Sequence, residues 1–151
     1  MPSYFFYTSA LVKLYHSEPG AKRIEEIFRQ PENSIIIARL TLVEMESAFS
    51  IKIRKREISA EQLRQARARF YLDLAGRLKY LAMNDIHFSL ARKLVLHYGA
   101  DKGLRTLDAL QLAVASELRS AGLIDFLVSA DAALANVARA EEIPVINPLT
   151  N

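Results

Sequence analysis

The sequence contains no cysteine, which excludes disulfide bonds and thiolate metal sites. It has no apolar run as long as a membrane span, and its first residues lack the basic-then-apolar order of a signal peptide, so we expect a cytoplasmic protein without a membrane anchor. Glycine and proline are scarce, with 5 of each in 151 residues, and no linker or internal repeat interrupts the chain. We therefore predict a single domain spanning residues 1–151, which is long enough to bury a hydrophobic core.

Charge of one sign is not in large excess either. The formal net charge is +3 and the pI is near 9.3, which permits a polyanionic partner without requiring one. The chain also lacks a G-x-G-x-x-G motif and a P-loop, so the common nucleotide-binding classes of α/β protein are disfavoured.

Apolar segments alternate with amphipathic ones, a pattern typical of a parallel α/β sheet. The run of three isoleucines in residues 34–38 has no polar alternation, as expected for a strand buried on both faces. The predicted strands are residues 4–7, 34–38, 78–83, 125–129 and 144–146. The predicted helices are residues 10–15, a segment after Gly20, 41–56, 60–74, 86–98, 106–122 and 132–140. Residues 98–103 are predicted to form a loop, and Thr8 and Ser9 to cap the first helix.

Three acidic side chains stand in short apolar contexts at the predicted ends of strands and starts of helices. Glu44 lies in LVEMESA (42–48), Asp108 in TLDALQLA (106–113) and Asp131 in VSAD (128–131). A fourth segment, YFFYTSALVKL (4–14), carries Tyr7 at its centre. Together, and in this order, these segments resemble the motifs of the PIN-domain family, and within it the VapC-type toxins of bacterial toxin–antitoxin pairs. At the position of Tyr7 the family motif has an aspartate.

This resemblance spans nearly the whole chain, and it implies both a fold and an activity. The implied fold is a three-layer, Rossmann-like sandwich with a parallel sheet in the order 3-2-1-4-5. The implied activity is metal-dependent RNA cleavage, with Glu44, Asp108 and Asp131 as catalytic residues and as ligands of Mg²⁺ or Mn²⁺, which prefer oxygen donors. Strand order reverses between the first and fourth strands, so Tyr7 and Asp131 should be neighbours there.

Several of these residues also have a purely structural interpretation. Asp108 in a first helical turn interacts favourably with the helix dipole, and Asp131 can cap the helix that follows it. Ser129 matches a family hydroxyl near the metal, but a strand-end hydroxyl also satisfies local backbone groups. Arg105 either contacts substrate phosphate or pairs with a nearby acid. The joint occurrence of three motifs favours a common site over separate structural roles.

The densest positive region lies between residues 51 and 69, and it offers a candidate surface for RNA. Seven basic residues occur there against Glu57 and Glu61: Lys52, Arg54, Lys55, Arg56, Arg64, Arg67 and Arg69. A solvated surface is the usual explanation of such a run, and an electrostatic groove using Arg54, Arg56 and Arg64 is the alternative. Glu46 is predicted to be a surface charge, and the three histidines to be surface or packing residues.

Tyr7 determines whether the implied chemistry is expected from this form of the chain. A phenol is uncharged at neutral pH and is a poor ligand for Mg²⁺. Three explanations remain open: a natural member that binds RNA or a protein partner without cutting, a weak enzyme that uses the remaining acids, or a substitution selected in an expression host. By resemblance, the expected partners are an RNA substrate, a small cognate antitoxin and a second copy of the chain.

Overall fold

A computed structural model describes residues 1–150, which form one five-stranded parallel sheet in the order β3-β2-β1-β4-β5. The strands are β1 (Ser3–Phe6), β2 (Ser34–Ala38), β3 (Leu78–Leu81), β4 (Phe126–Val128) and β5 (Val145–Ile146). The helices are α1 (Thr8–Leu11), α2 (Ala21–Arg29), α3 (Leu40–Arg54), α4 (Ala60–Gly76), α5 (Asp85–Lys102), α6 (Thr106–Ser120) and α7 (Ala132–Ala140), and a 3₁₀ turn (Val12–Leu14) follows α1. The predicted fold class and strand order are confirmed.

Helices cover both faces of the sheet because successive strand side chains point to opposite sides. Phe5 and Leu127 pack with residues of α5, α6 and α7 in one buried cluster. Phe6 and Val128, their neighbours along the same strands, pack with residues of α1 to α4 in a second cluster. The result is three layers, with the central strands buried on both faces. Within residues 1–150 no helix is both long enough and apolar enough to cross a lipid bilayer.

Two local predictions were wrong. Residues 98–102 continue α5 instead of forming a loop, and the helix ends at Gly103, whose φ of 69° suits a residue without a Cβ. Tyr98 is buried, and its hydroxyl donates a hydrogen bond to Glu141 (2.7 Å), so tertiary contacts extend the helix past Gly99. The first helix begins at Thr8, with Tyr7 as N-cap, and no side chain caps it.

Candidate functional site

Tyr7 lies at the point where strand order reverses. It directly follows β1, the strand between β2 and β4, and its backbone N–H donates to the carbonyl of Val128 at the end of β4 (2.9 Å). The side chain points into the protein and is only 7% exposed. Its hydroxyl donates a hydrogen bond to Oδ1 of Asp108. The phenol thus occupies the crevice where parallel α/β sheets usually place their ligands.

Asp108 lies in the first turn of α6 and is buried. While Tyr7 occupies Oδ1, the other carboxylate oxygen is 4.0 Å from Nε of Arg105, a long ion pair. Arg105 itself is 84% exposed, so solvent screens that pair and most of the guanidinium remains available. Arg105 therefore lies at the rim of the crevice. Both predicted roles, contact with a substrate phosphate and pairing with a nearby acid, are compatible with this position.

Glu44 is on α3, and its carboxylate is held from two sides. Oε1 accepts hydrogen bonds from Oγ1 of Thr8 (2.9 Å) and from Nε2 of Gln111 (2.6 Å). Burial raises the pKa of Glu44, and the nearby negative charge of Asp108 raises it further. The hydrogen bonds from Gln111 and Thr8 lower the pKa, but they do not cancel the rise, so the pKa stays above its ordinary value. The predicted capping role of Thr8 is therefore wrong, because its hydroxyl faces Glu44 and not the helix backbone.

Asp131 is the N-cap of α7, so the structural interpretation of this residue is observed. Its Oδ1 accepts a hydrogen bond from the backbone N–H of Leu134 (3.1 Å), and its own N–H donates to Oγ of Ser129 (3.0 Å). Ser129 is fully buried and organises this turn together with Ser9, whose Oγ accepts from the N–H of Ala130 (3.0 Å). Ser129 thus satisfies local backbone groups, one of its two predicted roles.

The hydroxyl of Tyr7 contacts Asp108 and lies within electrostatic range of Glu44 and Asp131. Burial raises the pKa of Tyr7 far above its ordinary value, the hydrogen bond to Asp108 raises it further, and the negative charges of Asp108, Glu44 and Asp131 add to the shift. A phenol in this environment stays neutral and donates its proton. The structure therefore brings Tyr7, Glu44, Asp108 and Asp131 to one edge of the sheet.

This arrangement does not fit Mg²⁺ or Mn²⁺ in the present form of the chain. Among residues 1–150 no group of three or more acidic or histidine side chains is placed to hold a metal ion. The contacts show one reason: the hydroxyl of Tyr7, a neutral group, stands on Oδ1 of Asp108 where a further ligand oxygen would be needed. Glu44 and Asp131 each keep one carboxylate oxygen outside the hydrogen bonds that hold them.

The predicted basic surface is divided by ion pairs. Arg64 pairs with Glu61 (Nε to Oε2, 2.9 Å), and Arg67 pairs with Glu46 across α3 and α4 (3.0 Å). Glu46 is a surface charge, as predicted, and it also bridges α3 and α4 through Arg67. Arg54 and Arg56 are exposed, and neither has an acidic partner within residues 1–150. Like the exposed Lys55 between them, they are free to contact a polyanion.

Sequence reasoning missed the polar residues that support the acids: Thr8, Ser9, Thr41 and Gln111. Gln111 is three residues after Asp108, so both are on one face of α6, and this spacing was the available signal. No local pattern indicates that Thr41 accepts a hydrogen bond from Gln111 (2.8 Å), because 70 residues separate them. The histidine prediction holds for His87, which is buried and accepts a hydrogen bond from the backbone N–H of Asn84 (3.1 Å).

The capping role of Asp131 gives a prediction about stability. Asp131→Ala removes the acceptor for the Leu134 N–H and is expected to lower the free energy of unfolding by about 1 kcal/mol. Asp131→Asn keeps a side-chain oxygen at the same place and is expected to stay within about 0.5 kcal/mol of the parent. Urea unfolding of the three proteins makes the comparison. An equal loss in both variants would show that the charge, and not the cap, is what α7 requires.

Comparison with known proteins agrees with the sequence resemblance. The family model of the PIN domain matches residues 4–143. Similar solved structures include VapBC2 from Rickettsia felis bound to a promoter DNA fragment (18% identity, 96% of this chain and 98% of that chain, TM-score 0.65). VapC20 from Mycobacterium tuberculosis, a Sarcin-Ricin loop cleaving toxin, is 14% identical over 88% of this chain and 93% of its own, with a TM-score of 0.64. FitAcB from Neisseria gonorrhoeae is 11% identical over 98% of this chain and 99% of its own, with a TM-score of 0.65. No curated protein matches the sequence significantly.

Proposed function

Because the chain belongs to the PIN-domain family, we propose that it is a VapC-type toxin whose reaction is hydrolysis of RNA phosphodiester bonds. The whole-chain similarity to VapC20, which is described as cleaving the Sarcin-Ricin loop, supports RNA as the substrate class. The observation that carries the proposal is that Asp108 binds the Tyr7 hydroxyl at the reversal of strand order and that the charges of Glu44 and Asp131 also act on that hydroxyl. Separate structural roles would not require three acids at one point.

In this form of the chain, Tyr7 closes the site. Its hydroxyl binds the carboxylate that a cation would otherwise neutralise. We therefore propose that this form binds RNA without cutting it, and that a further carboxylate in place of the phenol would complete a site for Mg²⁺ or Mn²⁺ with Glu44, Asp108 and Asp131. Clustered carboxylates of that kind are the ligand set that hard cations prefer.

The remaining residues have supporting roles in this proposal. Arg54 and Arg56 attract the RNA backbone, and Arg64 adds less because Glu61 offsets its charge. Arg105, at the rim, is free to contact a phosphate entering the crevice. Ser129 acts indirectly, by fixing the turn that carries Asp131.

The proposed partners follow from the solved complexes that share the fold. One of them is a toxin–antitoxin complex from Klebsiella pneumoniae, and another is VapBC-5 from Mycobacterium tuberculosis, a member of the VapBC family of toxin–antitoxin systems. We propose a small cognate antitoxin and a homodimer for this chain, acting in the cytoplasm as a single PIN domain. The alternative, favoured by the occupied carboxylates, is a module on the same scaffold that binds RNA or an antitoxin-like partner and has no catalytic form.

The experiment that tests the ribonuclease proposal compares two proteins on one structured RNA. The chain as it stands and Tyr7→Asp are each incubated with Mg²⁺ and with a chelator. Cleavage by Tyr7→Asp in Mg²⁺ alone is the expected result. If that variant folds normally and leaves the RNA intact, the ribonuclease proposal fails and the binding module takes its place.

RNA binding itself gives a second prediction, which does not depend on cleavage. Arg54→Ala together with Arg56→Ala should flatten the slope of log affinity against log salt by about 0.7 for each phosphate of single-stranded RNA that is no longer neutralised. Arg64→Ala should change the slope less, because Glu61 already offsets that charge. Lys93→Ala with Arg139→Ala is the matched control, since both residues are exposed on helices of the opposite layer. Filter binding over a salt series measures the slopes. Equal slopes for the test and control pairs would show that Arg54 and Arg56 are only part of a solvated surface.

A further inference from the structure

Gln111 is a fully buried polar side chain that connects two helices beside the candidate site. It lies on α6 one turn after Asp108, and its amide nitrogen donates to two residues of α3. One bond goes to Oγ1 of Thr41 (2.8 Å) and the other to Oε1 of Glu44 (2.6 Å). The amide thus joins the helix that carries Asp108 to the helix that carries Glu44.

The oxygen of the same amide shows that packing alone does not account for this residue. Oε1 of Gln111 is buried and has no hydrogen-bond partner within residues 1–150. An unpaired buried carbonyl is unfavourable, and an unbranched apolar side chain such as methionine would fill similar space without it. The NH₂ group therefore distinguishes glutamine from an apolar residue at this position. That group contacts Oγ1 of Thr41 and Oε1 of Glu44 on α3.

The hydrogen bond from Gln111 determines which carboxylate oxygen of Glu44 is occupied by donors and which is left open. Gln111 and Thr8 both donate to Oε1, while Oε2 makes no hydrogen bond within residues 1–150. Two donors converging on one oxygen restrict rotation of the carboxylate and leave the other oxygen available. Partners that orient a ligating carboxylate in this way affect metal affinity although they do not touch the ion.

We propose that Gln111 is the positioning residue that holds Glu44 in the orientation the site requires. The expected effect of Gln111 on metal binding rests on the proposed function. The hydrogen bond by which Gln111 holds Glu44 is present in the chain as it stands. The competing explanation is that Gln111 only links α6 to α3 through Thr41. The two explanations differ in which hydrogen bond of the amide matters.

The first test uses the chain as it stands. Urea unfolding is measured for the Gln111→Met single variant and for its two combinations, one with Glu44→Leu and one with Thr41→Val. These variants, with the Glu44→Leu and Thr41→Val single variants, form two double-mutant cycles. If Gln111 holds Glu44, the effect of Gln111→Met on the unfolding equilibrium constant falls by at least about threefold once Glu44 is gone. Full additivity with Glu44→Leu would overturn the proposal. If Gln111→Met does not fold, Gln111→Leu replaces it in the same cycles.

The second test measures Mn²⁺ affinity, which would not change if Gln111 only linked α6 to α3 through Thr41. In the Tyr7→Asp background, Gln111→Met is expected to weaken Mn²⁺ binding in a calorimetric titration by about 10–100-fold. Thr41→Val breaks the other bond of the same amide and is expected to change Mn²⁺ affinity by less than about threefold. Equal losses in the two variants would overturn the positioning role. If Tyr7→Asp alone binds no Mn²⁺, the proposed function fails, and the first test still decides whether Gln111 holds Glu44.

Discussion

We expect no tight Mn²⁺ binding by the chain as it stands, tight binding by Tyr7→Asp, and Mg²⁺-dependent RNA cleavage at least about a hundredfold faster in that variant. The substitution removes the ring from the crevice and releases Oδ1 of Asp108. It also adds a negative charge beside Glu44, Asp108 and Asp131, which already act on this position. Clustered carboxylates repel one another, and a divalent cation relieves that repulsion.

Two control variants separate the loss of the phenol from the gain of a ligand. Tyr7→Phe removes the hydroxyl but keeps the ring, and Tyr7→Asn supplies an oxygen without a charge. Neither is expected to bind Mn²⁺ tightly or to cut RNA. Thermal unfolding adds an independent readout, because Mn²⁺ should raise the melting temperature of Tyr7→Asp alone. Cleavage or tight Mn²⁺ binding by Tyr7→Phe would show that the hydroxyl, and not the missing carboxylate, is what keeps the site closed.

Glu18→Gln is expected to lower the free energy of unfolding by about 1.5–3 kcal/mol, because it removes the negative charge that two largely buried lysines share. Nζ of Lys13 is 3.3 Å from one carboxylate oxygen of Glu18, and Nζ of Lys52 is 3.1 Å from the other. The two lysine side chains are only 7% and 11% exposed, and Glu57, the further partner of Lys52, is partly exposed. Glu25→Gln is the matched control, since Glu25 pairs with the exposed Arg29, and a change below about 0.5 kcal/mol is expected there.

The same cluster predicts how stability depends on pH. Burial raises the pKa of Glu18, but hydrogen bonds and charges from Lys52 and Lys13 outweigh it, so the folded-state pKa lies below the ordinary 4.5. A carboxyl with a depressed folded-state pKa contributes its full stabilisation above the unfolded-state value and loses it as pH falls through the folded-state value. Urea unfolding from pH 7 downward should therefore show a loss of stability below about pH 4.5 that is smaller in Glu18→Gln. Parallel pH profiles for the two proteins would contradict this explanation.

Sequence patterns specified the fold because local signals and packing agree along most of the chain. The apolar run at residues 34–38 predicts a strand buried on both faces, and helices do cover both faces there. One exception is residues 98–102, which were predicted to form a loop and which the burial of Tyr98 keeps in the helix. A glycine inside a helix costs only about 1 kcal/mol, which tertiary contacts readily exceed.

For the site, the sequence by itself determined which acids to consider and at which edge of the sheet they would lie. Glu44, Asp108 and Asp131 were found because their motifs are short and local. Tertiary structure alone decided what each acid contacts, since Tyr7 meets Asp108 across 101 residues and Gln111 meets Glu44 across 67. Hydrogen bonds depend on distances of a few tenths of an ångström, and no local pattern specifies such distances between segments remote in sequence. The sequence therefore located the carboxylates and placed Tyr7 beside them, and only the folded chain showed that its hydroxyl donates to Asp108.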